Sequence, residues 1–77
     1  MLGQYQTAIA DFDKAIQLDP DDAFAYINRG ASYAQLGQHA TSVADFTTVI
    51  QTDPYHAKAY NNHAIAYRNL PTLARRR

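Results

Sequence analysis

The chain has 77 residues, 47% of them hydrophobic and 18% charged, with a formal net charge of zero and no cysteine. That length makes one small domain that buries only about 60% of its unfolded surface; the missing cysteine excludes disulfides, and the balanced charge removes any global pull toward nucleic acid or anionic lipid. No apolar run reaches the roughly 20 residues of a membrane span, and no basic-then-apolar start marks a secretory signal, so a cytoplasmic protein is expected.

The first predicted helix covers residues 4–18, where Tyr5, Ala8, Ile9, Phe12, Ala15 and Ile16 recur at helical spacing. Asp19-Pro20 ends it. Proline suits the first turn of a following helix, where its missing N–H would lack a partner anyway. Asp21 and Asp22 suit the positive end of that helix. The second helix, 22–35, carries Tyr26, Gly30, Tyr33 and Ala34. Small residues between aromatics let a neighbouring backbone come close. Gly37 marks the next turn. The third helix, 39–52, carries Val43, Phe46, Val49 and Ile50, and Asp53-Pro54 closes it. The fourth, 56–69, repeats the aromatic stripe with Tyr60, Ala64 and Tyr67. A tail, 71–77, begins at Pro71 and ends in Arg75, Arg76 and Arg77. Nothing reads as a strand, so the fold class is all-α, with about four antiparallel helices.

Shifting the chain by 34 residues lays it on itself. Leu2-Gly3-Gln4 falls on Leu36-Gly37-Gln38, and Ala10-Asp11-Phe12 on Ala44-Asp45-Phe46. Ile16, Gln17, Asp19 and Pro20 fall on Ile50, Gln51, Asp53 and Pro54, and Ala25-Tyr26 on Ala59-Tyr60. A period of that size marks an array whose units bury their faces against neighbours.

The 34-residue period, the glycine turn, the Tyr/Ala/Phe/Ala stripe and the Asp-Pro boundary together resemble the tetratricopeptide repeat. The resemblance covers residues 3 to about 70. In that family each repeat is an antiparallel pair of helices, A then B, stacked into a superhelix. By this resemblance 3–20 is a helix B without its A, 23–54 is one complete repeat, and 57–70 is a helix A without its B. The expectation is a piece of an array, a protein that completes its end units by other means, or a stack that helix 56–69 simply caps. A head-to-tail contact between molecules would rebuild a repeat, so self-association is expected, through Ile9, Phe12 and Ile16 left exposed on the first helix.

The family implies a non-catalytic scaffold that holds a peptide or partner segment in a concave groove lined by helix A. The groove positions would be Phe24, Ile27, Asn28, Ala31 and Gln35, then Lys58, Asn61, Asn62, Ile65 and Asn69. Of these, Ile27, Asn28, Lys58, Asn61, Asn62 and Ile65 are the expected peptide contacts. One subclass clamps a C-terminal carboxylate with lysine, arginine and asparagine. Asn28 and Lys58 match its pattern, but Asn62 stands where that subclass has arginine, so a general peptide groove is the better expectation.

Other chemistry has little support. His56 and His63 share a helix face, but no third ligand converges on them, so no metal is expected. Asp11, Asp13 and Asp45 read as solvated or structural acids, and no nucleophile–base pair can be argued from spacing. No catalytic residue and no cofactor is expected. Most tyrosines fall on the packing stripe rather than on a stacking platform, and three terminal arginines give only weak, salt-sensitive attraction to phosphates, so nucleic acid is not an expected partner.

Overall fold

The computed structural model describes residues 2–71. They form four α-helices: α1 Leu2–Leu18, α2 Ala23–Gln35, α3 His39–Thr52 and α4 Ala57–Arg68. There is no strand among the described residues, and no helix among them is long and apolar enough to cross a membrane. The basic tail with Arg75, Arg76 and Arg77 lies outside the described residues.

The two Asp-Pro boundaries fold the same way. The Asp19 carboxylate accepts from the Asp21 N–H at 3.1 Å, and the Asp53 carboxylate accepts from the Tyr55 N–H at 3.2 Å. These side chains mimic a backbone turn and fix the reversal. Pro20 and Pro54 stand within these turns, ahead of the helices, rather than in the first helical turn as expected. The next helix is capped at equivalent positions. Asp22 accepts from Ala25 N–H at 3.3 Å, and the His56 Nδ1 accepts from Ala59 N–H at 3.2 Å. Each satisfies one of the amides that a helix start leaves without a partner.

The α2–α3 turn works differently. Gly37 adopts φ 79°, which only glycine reaches cheaply. Gln38 N–H then bonds Tyr33 O at 2.9 Å, and Gly37 N–H bonds Ala34 O at 3.0 Å, which closes the end of α2. One period later stands Pro71, which has no N–H to repeat that closure.

Each helix packs on the next, and α2 also meets α4. The core therefore lies among α2, α3 and α4. Ile27, Phe46, Val49, Ala59 and Ala66 form it, with Ala23, Tyr26, Val43 and Ile50 packed around them. Burying a side chain such as Phe46 contributes about 1.5–3 kcal/mol. Gly30 makes room for that ring: a Cβ built on Gly30 would stand 3.0 Å from the Phe46 ring and 3.2 Å from the Asp45 Cβ. The small residue between aromatics is thus a point of close approach between α2 and α3.

Two burial expectations need correction. Ile9 is only 9% exposed, because α1 turns it into the α1–α2 packing, so it is not a free apolar knob. Phe12 and Ile16 are half-buried rather than open. Ile27 is 5% exposed and belongs to the core, so it does not line a groove.

Candidate functional site

The residues expected along helix A form two matched rows. Phe24, Asn28, Ala31 and Gln35 follow the i, i+4, i+7, i+11 face of α2, and Lys58, Asn62, Ile65 and Asn69 are their counterparts on α4 or at its end. The rows are open to solvent at their apolar members: Phe24 is 72% exposed and Ile65 48%. Ala31, Gln35, Lys58, Asn61 and Asn69 are exposed as well, and Asn28 and Asn62 are half-buried.

The chemistry of the rows is mostly amide and apolar. Asn28 donates from its side chain to the Phe24 carbonyl at 2.8 Å, which commits one donor within its own helix. Lys58 makes no ion pair among the described residues. It lies in the first turn of α4, where the helix dipole adds to its positive field. The rows therefore offer apolar contact at both helices and one point charge at one end.

Beside the α2 row, a cleft of about 380 Å³ opens between α1 and α2, lined on one wall by Gln4, Tyr5, Ala8 and Phe12 and on the other by Asn28, Ala31, Ser32 and Gln35. The concavity along the α2 groove residues thus faces α1. Sequence reasoning placed the α2 wall but not the cleft, because the groove expectation ran from one helix A to the next.

The strongest electrostatic feature lies behind the rows. Arg29 bonds Asp45 twice, Nε to Oδ2 at 3.0 Å and Nη2 to Oδ1 at 2.7 Å, and reaches Asp13 through Nη1 at 2.9 Å. Its guanidinium also lies over the Tyr26 and Tyr33 rings, 5.5 and 6.0 Å from their centroids. The two bonds to Asp45 form the planar fork that suits arginine and carboxylate. The Asp45 hydrogen bond holds the Arg29 ionisation above its ordinary value, partial burial opposes it, and Asp13 adds to the rise. Asp45 is buried, so it is a structural acid and not a solvated one. One arginine thereby ties α1, α2 and α3 together.

His63 is the counterpart of Arg29 one period on, and Thr47 is the counterpart of Asp13. The pair repeats the contact, with His63 Nε2 3.0 Å from Thr47 Oγ1. His63 also stacks on Tyr67 at 6.3 Å. His56 is spent on its helix cap, and His39 is half-buried. No group of three or more metal-ligating side chains gathers among the described residues.

Two family models match the chain. A TPR repeat model matches residues 2–37, and a Tetratricopeptide repeat model matches residues 25–56. The second match runs over most of α2 and all of α3, the hairpin that carries the core. No curated protein matches the chain.

Proposed function

Since the chain belongs to the tetratricopeptide repeat family, we propose that it is an interaction module that holds an extended segment of another protein along the α2 and α4 rows. Repeats of this family generally mediate protein–protein interactions and are typically non-catalytic. The observation that carries the reading is the pair of matched rows. They keep Phe24 and Ile65 in solvent, beside amide side chains, although both are large apolar groups. Aromatic and aliphatic anchors flanked by hydrogen-bonding groups are what an interface core uses.

Lys58 gives the ligand a direction. A segment with apolar side chains along the rows and an acidic group or free carboxylate at the Lys58 end matches the site. Asn62 lacks the fork that would hold a carboxylate in two bonds, so Lys58 acts as a point charge and the apolar contacts carry more of the affinity.

The test uses a peptide selected from a displayed random library against the whole chain. Titration of that peptide into Phe24→Ala and into the Asn28→Ala/Lys58→Ala double variant should show affinity lost by about tenfold or more in each, the usual size for anchor residues. Unchanged affinity in both would move the binding surface elsewhere. These side chains are exposed or half-buried, so circular dichroism of the variants should match the parent.

A further inference from the structure

The repeat places each helix in a numbered post. α1 and α3 hold the same post, and so do α2 and α4. It follows that the α1–α2 cleft is the counterpart of the space between α3 and α4. That second space is occupied, because α2 packs against both α3 and α4. Its walls are sealed: Ser42, Phe46 and Ala66 are buried. Their counterparts Ala8 and Phe12 are only half-buried and, with the buried Ser32, line the cleft of about 380 Å³ that no described residue fills. A helix with the residues of α2 fits this slot, and α4 is the helix in this chain that carries them.

We propose that α4 of one copy of this chain seats in the α1–α2 cleft of a second copy, and that His63 there pairs with Asp11, as Arg29 pairs with Asp45 inside one copy. The match between Asp11 and His63 commits the slot to this occupant. Asp11 is the counterpart of Asp45, but it is exposed. His63 already reproduces half of the Arg29 arrangement through its 3.0 Å contact to Thr47. The other half needs an acceptor on the next helix, and Asp11 of a second copy supplies one at the right post. The apolar part agrees, since Phe12 takes the post of Phe46 and Tyr60 and Tyr67 the posts of Tyr26 and Tyr33.

The contact is looser than its internal template. Ala64 holds the post of Gly30, where a Cβ meets the opposing ring at 3.0 Å, so the ring of Phe12 must give way slightly. Imidazole also makes fewer bonds to a carboxylate than guanidinium does. The join is heterologous, so it builds dimers and then longer rows unless it closes. The slot shares Asn28, Ala31 and Gln35 with the α2 peptide row, but the proposal does not rest on the peptide reading, and the residues tested here are different ones.

Sedimentation equilibrium of the whole chain over a wide concentration range tests it, with His63→Arg, Asp11→Asn, the double variant and Ala64→Gly. The mass of the parent should rise with concentration. His63→Arg should tighten association about tenfold by restoring the charged fork, and Ala64→Gly should tighten it by removing the crowded Cβ. Asp11→Asn should weaken it and erase the gain from His63→Arg in the double variant. Asp11 is exposed, so that variant carries the test whatever His63→Arg costs in folding. A parent and His63→Arg variant that stay monomeric throughout would overturn the proposal. So would a His63→Arg gain that persists without Asp11.

Discussion

α3 and α1 share the Ala-Asp-Phe motif and are opposites in setting. Phe46 and Asp45 lie in the core, at 2% and 4% exposure, while their counterparts Phe12 and Asp11 are half-buried and exposed. α3 has a helix on each side, α2 and α4, whereas α1 packs chiefly on α2. The same residues therefore do different energetic work. In α3 the phenylalanine fills the core and the aspartate locks an arginine. In α1 the phenylalanine lines an open cleft and the aspartate stands exposed. A repeat carries its meaning in its neighbours, and a residue in an array is worth what the flanking helices bury of it.

The sharpest way to break this comparison is to truncate both rings. Phe46→Ala should cost about 3–5 kcal/mol, which is the whole stability expected of a domain this small, so urea melts followed by circular dichroism should find it largely unfolded. Phe12→Ala should cost about 1 kcal/mol, because less of its surface is removed from water. Equal losses in the two variants would mean that α1 and α3 are covered alike.

The carboxylates give the next largest contrast. Asp45→Ala leaves Arg29 with only the half-exposed Asp13 and should cost about 2–4 kcal/mol, since removing one member of a buried pair strands the other. Asp11→Ala, measured in dilute protein, should stay within about 0.5 kcal/mol, as exposed substitutions usually do. The Arg29 ionisation adds no pH slope to this. Its folded value is raised, so its contribution is fully present below the ordinary arginine range and is lost only above it, beyond ordinary solution conditions.

The smallest effect concerns the caps. Asp22 and His56 hold one post at the starts of α2 and α4. Aspartate is the better cap, because it accepts the amide hydrogen bond and also opposes the helix dipole. His56→Asp should raise stability by about 0.5–1 kcal/mol in thermal melts. A loss would mean that the imidazole does more at the end of the array than cap its helix.

Much of this molecule was readable before any coordinates. The apolar spacing from Tyr5 to Ile16 located α1, Gly37 located the α2–α3 turn, and the two Asp-Pro pairs located the remaining turns. All of these are local signals, set by a few adjacent residues. The groove rows were readable in part: the resemblance to the repeat family placed Phe24, Asn28, Lys58 and Ile65 along the groove, but it also placed Ile27 there, and Ile27 lies in the core. The Arg29 link was missed. Its partners lie 16 residues away on either side, at Asp13 and Asp45, a separation that has meaning only once the hairpins are closed. The signal was present, since the same separation joins His63 and Thr47, but nothing in a single helix points to it.

By itself, the order of residues determined four helices, their ends and a period of 34, because helix spacing, caps and turns are decided within a few residues of chain. The tertiary structure alone decided which copy of each motif is buried, which aspartate meets an arginine and where a cleft stays open. Those outcomes depend on how many helices flank a given one, and two copies of one motif carry no record of that.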